Sequence, residues 1–135
     1  MLKLLRLPFI PKSADFGLLV LRLSLGFSML LLHGRGKLQG FSEMASKFPS
    51  VLGLPSNASL GLAVFAEVLC SGLLIAGFLT RFAALMLAVT MGVAFFIVHG
   101  MILVGEKNGE LAMIYLAGYL TLLLAGAGKY SVDRE

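Results

Sequence analysis

Four apolar stretches dominate this chain, and nearly all of its charged residues lie outside them, in the tails and in the segments between the stretches. The stretches run at about 16–33, 60–79, 82–99 and 111–127. Each is close to the ~20 residues that a helix needs to cross the ~30 Å hydrocarbon core of a bilayer. The pattern therefore predicts an all-α fold: an integral membrane four-helix bundle with up-down-up-down order, forming a single transmembrane domain over residues 1–135.

The composition supports a membrane location. Hydrophobic residues make up 59% of the chain and charged residues 13%, whereas about 25% of the residues in a soluble domain are charged. The lipid bilayer is therefore the expected partner. The formal net charge is +4, but the basic residues are scattered over tails and loops, so nucleic-acid binding, which requires a basic patch, is not expected.

The segment between the first two stretches is too apolar to be a solvated loop. Phe41, Met44 and Phe48 recur at helical spacing within it, and Pro49 follows directly. This spacing predicts a short helix over Gly40–Phe48 that lies at the membrane interface.

The distribution of lysine and arginine predicts the orientation. Six basic residues lie on the side of the termini, and four lie on the opposite side. The first group is Lys3, Arg6, Lys12, Arg81, Lys129 and Arg134, and the second is Arg35, Lys37, Lys47 and Lys107. Basic residues favour the cytoplasmic side, so we expect a multi-pass protein with both termini in the cytoplasm.

Ionisable residues near the predicted helix ends suggest one polar layer. His33 ends the first stretch, His99 ends the third, Glu110 opens the fourth, and Glu67 lies inside the second. In an up-down-up-down path the first and third loops share one side, so these residues converge there. Because ionisable groups inside a membrane are costly, they mark candidate functional sites. All four are predicted to be catalytic, as groups that move protons.

The face of the fourth helix that turns inward is predicted from its small residues. Glu110, Ala117 and Thr121 share one stripe, as expected for a face turned toward the bundle interior. Tyr115 and Tyr119 lie on roughly the opposite face, where they would contact lipid or a second subunit unless they have a role in the site.

Several motifs together resemble the DoxX-like family of small four-helix membrane proteins. They are HG-x-x-K at 33–37, Glu67 within the second stretch, L-T-R ending at Arg81, and G-x-G-x-Y-S-x-D at 126–133. The resemblance implies a four-helix bundle in the bacterial inner membrane. The resemblance also implies a role in redox complexes: some members of the family are the small subunit of thiosulfate:quinone oxidoreductase, and others are partners in thiol-redox or detoxification complexes.

The leading hypothesis is a membrane subunit of a quinone- or thiol-linked oxidoreductase complex. It would bind a quinone or small redox substrate in the polar layer, with Arg22, Lys37 and Arg81 as binding residues. The sequence has one cysteine and no motif for haem, flavin or an iron–sulfur cluster. No metal site is predicted, because no helix carries a His/Glu pair at i, i+3 or i+4. Electrons would come from a redox partner protein or a bound thiol. The sequence does not decide whether the protein forms a homo-oligomer.

Two alternatives compete with this hypothesis. The protein is a non-catalytic structural or assembly protein if its buried polar residues serve only to fix helix packing. The other alternative is a transporter or channel. It is disfavoured because the four short spans show neither an inverted repeat nor a broken helix.

Overall fold

The computed structural model describes residues 1–134, and this part of the chain is helical without β-strands. The helices are α1 (Leu2–Leu5), α2 (Ala14–Gln39), α3 (Phe41–Met44), α4 (Ser56–Ala76), α5 (Thr80–Val98) and α6 (Glu110–Ala125). Within the described residues, α2, α4 and α5 are long and apolar enough to cross a membrane. The apolar α6 has 16 residues, which corresponds to about 24 Å. The all-helical membrane fold is confirmed.

Each long helix contains a π-helical segment. These segments are Leu30–Gly34 in α2, Phe65–Cys70 in α4 and Ala94–Val98 in α5. Such insertions occur frequently at functional sites. The first of them changes the predicted boundary: α2 does not end near His33 but continues through the π-helical turn to Gln39. His33 and Lys37 therefore lie on one continuous helix.

Glycines with positive φ directly follow two of the helices. Gly77 has φ +70° directly after α4, and Gly126 has φ +81° directly after α6. Glycine adopts positive φ without the steric penalty of other residues. For this reason α4 ends three residues before the predicted boundary at 79, and α6 ends two residues before the predicted 127.

The helix predicted over Gly40–Phe48 is shorter than expected. Only Phe41–Met44 forms an α-helix, although turns continue until the N–H of Phe48 donates to the carbonyl oxygen of Met44 at 2.9 Å. Pro49 follows, and proline disfavours a helical conformation in the residue before it.

The core lies where α5 and α6 pack together along their length. Ala83, Ala84 and Ala88 of α5 are buried there, and such small residues allow helix backbones to approach closely in a membrane. Cys70 of α4 is fully buried in the same core, as expected for a packing residue.

The prediction for the inward face of α6 is wrong. The residues on its buried face are Ala112, Tyr115, Tyr119 and Leu122, whereas Glu110, Ala117 and Thr121 are exposed. The helix is apolar nearly all round, so its pattern does not define an inward face. The tyrosines turn inward because their rings fill the core and the hydroxyl of Tyr115 finds a partner there, donating to Ser28 Oγ at 2.8 Å.

Arg22 ties α2 to the end of α4 and to the C-terminal segment. Its Nη1 donates to the carbonyl oxygens of Leu74 and Ile75 at 2.9 and 2.8 Å, and its Nη2 donates to that of Tyr130 at 2.6 Å. The side chain is fully buried. A Cβ atom at position 77 would overlap this guanidinium, so glycine is required there for space as well as for its conformation.

Asp133 caps the beginning of α5. Its carboxylate accepts hydrogen bonds from the N–H groups of Leu79 and Thr80 at 2.9 and 2.8 Å. Partial desolvation raises the pKa of Asp133, but the hydrogen bonds from Thr80 and Leu79 and the charge of Arg22 outweigh it, so the net pKa lies below its ordinary value. The cap therefore stabilises the fold when it is ionised.

Replacing the cap should destabilise the bundle in a pH-dependent way. Asp133→Ala is expected to lower the free energy of unfolding by about 1 kcal/mol at pH 7, the usual cost of losing such a cap. The folded-state pKa is lowered, so this contribution is present above the unfolded-state pKa of about 3.9 and is lost as the pH falls through the folded value.

Unfolding in mixed micelles, followed by circular dichroism at pH 7 and pH 3, would test this prediction. Glu43→Ala removes an exposed carboxylate from α3 and serves as the matched control. If Asp133→Ala lowers the free energy of unfolding by the same amount at both pH values, the proposed role of the carboxylate charge is contradicted.

Candidate functional site

A cavity of about 410 Å³ lies between α2, α4, α5 and α6, within the ~300–1,000 Å³ range of small-molecule sites. Most of its wall is apolar. Its polar lining includes His33, Lys37, Glu67, Thr90, His99 and Asn108. The irregular segment after α3 contributes Phe48, Val51 and Leu54 to the lining, so the cavity combines an apolar interior with a few grouped polar side chains.

An ion pair between α2 and α4 is the central polar contact of this cavity. Lys37 Nζ lies 2.7 Å from Glu67 Oε2, and the two side chains are 21% and 5% exposed. A carboxylate at this depth costs at least ~2.5 kcal/mol on insertion scales when it has no partner. Lys37 supplies the counter-charge and a hydrogen bond, which lowers the cost of burying the carboxylate inside the bundle.

Gly34 allows this pair to form. It lies one turn before Lys37 and packs directly against the backbone of α4, where an added Cβ would be 2.6 Å from the carbonyl oxygen of Glu67. Real Cβ contacts are not that short, so a side chain at position 34 would push the helices apart. The glycine and the lysine of the HG-x-x-K motif therefore act together: Gly34 lets α2 and α4 approach closely, and Lys37 then reaches Glu67.

The ring of His33 lies beside a tyrosine network. Its centroid is 5.7 Å from that of Tyr115, with the ring planes at 88°, which is an edge-to-face contact. Tyr115 donates to Ser28 Oγ, and Ser28 Oγ donates in turn to the carbonyl oxygen of Ser24 at 2.7 Å. Tyr119 stacks on Tyr115 at 5.9 Å. The His33 side of the cavity is thus supported by packed aromatic rings.

His99 follows the last residue of α5 and is fixed by the next loop. Its Nδ1 lies 3.1 Å from the carbonyl oxygen of Lys107. A carbonyl oxygen can only accept, so Nδ1 is the donor in this contact and Nε2 is the ring nitrogen that can accept a hydrogen bond.

Three of the sequence-predicted site residues lie outside the cavity lining. Glu110 is the exposed first residue of α6. Arg22 donates to the carbonyl oxygens of Leu74, Ile75 and Tyr130, near the C-terminal end of α4. Arg81 is exposed at the start of α5, where its Nε donates to the carbonyl oxygen of Leu123 at 2.9 Å. The structure brings together the remaining four: His33, Lys37, Glu67 and His99.

Sequence reasoning missed the partner of Lys37. The signal was present, because a carboxylate inside a membrane requires a counter-charge and His33 and Lys37 have the i, i+4 spacing of one helical face. It also missed the position of Tyr115 beside His33.

Among residues 1–134 no group of three His, Cys, Asp or Glu side chains is arranged to hold a metal ion.

Comparison with known proteins identifies the family but not an activity. Two relatives from Haemophilus influenzae, both described as uncharacterized proteins, match this chain. One is 35% identical over 96 residues, covering 69% of this chain and 64% of its own length. The other is 32% identical over 132 residues, covering 92% of this chain and 93% of its own length. No solved structure matches significantly.

The family model named DoxX matches residues 17–100. This range includes His33, Gly34, Lys37, Glu67 and His99, which are the residues of the cavity and its central contact. Since the match extends over more than half of the chain, the protein belongs to the DoxX family of membrane proteins.

Proposed function

We propose that the cavity binds a quinone or a similar small redox substrate, and that the chain is a membrane subunit of a quinone- or thiol-linked oxidoreductase complex. The observation that supports this best is the Lys37–Glu67 pair in the wall of an otherwise apolar cavity. A quinone needs an apolar space for its ring and polar donors for its two carbonyl oxygens.

Lys37 is suited to hold a carbonyl oxygen. Its ammonium group has three N–H donors, and Glu67 accepts one of them. The other two are available to a ligand that enters the cavity. Glu67 holds the ammonium in position, and its negative charge makes the pair nearly neutral, so a neutral ring does not have to displace the hydration of an isolated charge.

Reduction of a quinone to a quinol takes up two electrons and two protons. The electrons would come from a redox partner protein or a thiol substrate, and the chain's own residues would handle the protons. His33, His99 and Glu67 all line the cavity, and imidazole and carboxyl groups are the usual proton carriers of enzyme sites. In His99, Nε2 would be the atom that accepts and releases the proton.

A purely structural role is the second candidate, and one observation favours it. Glu67 is already paired with Lys37 at 2.7 Å, so no ligand is required to satisfy its charge. In that case the pair fixes the register of α2 against α4, and the cavity has no chemical role.

Quinone binding to the purified protein in nanodiscs separates the two roles. Glu67→Gln should weaken binding by about tenfold, the equivalent of ~1.4 kcal/mol, because an uncompensated Lys37 charge would retain water that the ring must displace. Glu110→Gln is the matched control, since Glu110 is exposed and outside the lining, and it should bind like the wild type.

Isothermal titration with a short-chain quinone, on material that elutes as a single species in gel filtration, measures both variants. Equal affinity of Glu67→Gln and Glu110→Gln would favour the structural role. Equal loss of affinity in both variants would also contradict a site centred on Glu67.

We also propose an up-down-up-down path in a bacterial inner membrane, with both termini in the cytoplasm. Contacts at the two ends of the bundle support the path. Arg22, in the first half of α2, reaches the end of α4, whereas Lys37, near the end of α2, reaches Glu67 near the middle of α4. The excess of six basic residues over four supports the orientation.

Reporter fusions test this orientation. A cytoplasm-dependent reporter fused after Glu135 should be active, and the same reporter placed in the segment after α3, near Gly53, should be inactive. Activity of a periplasm-dependent reporter at position 135 would reverse the proposed orientation.

A further inference from the structure

The cavity reaches the lipid-facing surface of the bundle at one side. Leu62 of α4 and Val89 of α5 both line the cavity, yet their side chains are 58% and 53% exposed. Both residues lie within helices long and apolar enough to span the membrane. In a bilayer the medium outside them is therefore acyl chains, so the cavity has an apolar edge against lipid.

This edge exists because α4 and α5 diverge. They form a hairpin whose turn is at 77–79, and the π-helical segment Phe65–Cys70 packs against Thr80–Val93 of α5. The earlier part of α4, Ser56–Val64, packs instead beside Arg35–Gln39 and Phe41–Met44. A wedge opens between the two helices on the side away from the turn, and the cavity occupies it.

The polar and apolar groups are arranged in order within this wedge. Glu67 is ten residues before Gly77, and Val89 is ten residues after Leu79, so the two lie at similar heights above the turn. Glu67 is buried whereas Val89 is half exposed. From inside to outside, a ligand would therefore meet the ion pair first and the apolar edge last.

The aqueous end of the cavity is lined differently. Phe48, Val51 and Leu54, from the segment between α3 and α4, are partly buried and line the cavity there, together with the polar His99 and Asn108 of the loop after α5. The lining at this end is thus mixed, whereas an apolar chain passing between Leu62 and Val89 would remain in an apolar medium throughout.

We infer that the cavity takes an amphiphile from the bilayer, whose polar head lies at the Lys37–Glu67 pair and whose apolar chain leaves between Leu62 and Val89 into the lipid. The identification of the head as a quinone ring rests on the proposed function. The side opening rests on the geometry of α4 and α5 alone. The ligand class is thus a lipid-soluble quinone with a long isoprenoid chain, not a water-soluble analogue.

Binding of quinones with long and short chains tests the path of the chain. Val89→Trp, which fills the opening, should weaken binding of a long-chain quinone by about tenfold and leave a quinone with a single isoprenoid unit nearly unaffected, since only the long chain loses its apolar contacts. Val20→Trp is the matched control, because Val20 is also exposed on a spanning helix but does not line the cavity.

Unchanged binding of both ligands to Val89→Trp would overturn the inference. Equal loss of both would overturn it as well, since it would place position 89 against the ring rather than the chain. If the wild type binds neither quinone, the proposed function fails, and the side opening is decided by a measurement that needs no quinone.

That measurement uses tryptophan fluorescence, because the chain has no tryptophan of its own. Met91→Trp places a reporter on the buried cavity wall, and Met29→Trp places one in the buried core outside the lining. Lipids brominated on their acyl chains should quench the reporter at 91 at least about twofold more than that at 29, since only an open edge lets lipid chains reach the wall.

In a bilayer of unbrominated lipid, a long-chain quinone should quench the reporter at position 91 more than the one at position 29, because quinones themselves quench tryptophan fluorescence, and this distinguishes the quinone from an acyl chain as the occupant. Equal and weak quenching at positions 91 and 29 would show a cavity closed to lipid and overturn the inference. If a reporter variant fails to fold, Thr90→Trp provides a second position on the lining.

Discussion

A carboxylate held inside a membrane bundle is the constraint on which the rest of this structure depends. Glu67 is almost completely buried and has Lys37 as its ion-pair partner at 2.7 Å. For the lysine to reach it, α2 must continue as a helix past His33, and Gly34 must let the backbones of α2 and α4 come into contact. The cost of burying an isolated charge thus explains why α2 continues to Gln39, why position 34 is a glycine, and why an ion pair lies in the wall of the cavity.

The two ends of the bundle use their polar groups differently. At the end with Arg22 and Asp133, the side-chain charges bind backbone groups and close the structure. At the other end, Lys37 retains donors that Glu67 does not use, and His33 lies beside the same cavity. Backbone carbonyl oxygens hold Arg22 in place, whereas a lysine with free donors can also bind a ligand. This difference separates the packing residues from the candidate site.

The sequence predicts the helices and part of the site, and the failures have physical reasons. Hydrophobic length predicts the long helices, and the requirement to shelter ionisable groups predicts that His33, Glu67 and His99 lie together. The inward face of α6 could not be predicted, because an apolar helix has no distinct face and Tyr115 is placed by its tertiary partners. The π-helical turn that carries α2 past His33 likewise leaves no pattern in the sequence.

The central claim is that the Lys37–Glu67 pair serves a ligand and does not only hold two helices together. The double variant Lys37→Gln/Glu67→Gln tests it, because it removes both charges and leaves none unpaired. We expect its free energy of unfolding in mixed micelles to lie within about 1 kcal/mol of the wild type, since replacing both members of a buried pair is often neutral. Quinone binding should be lost. A double variant that binds quinone with wild-type affinity would contradict the account.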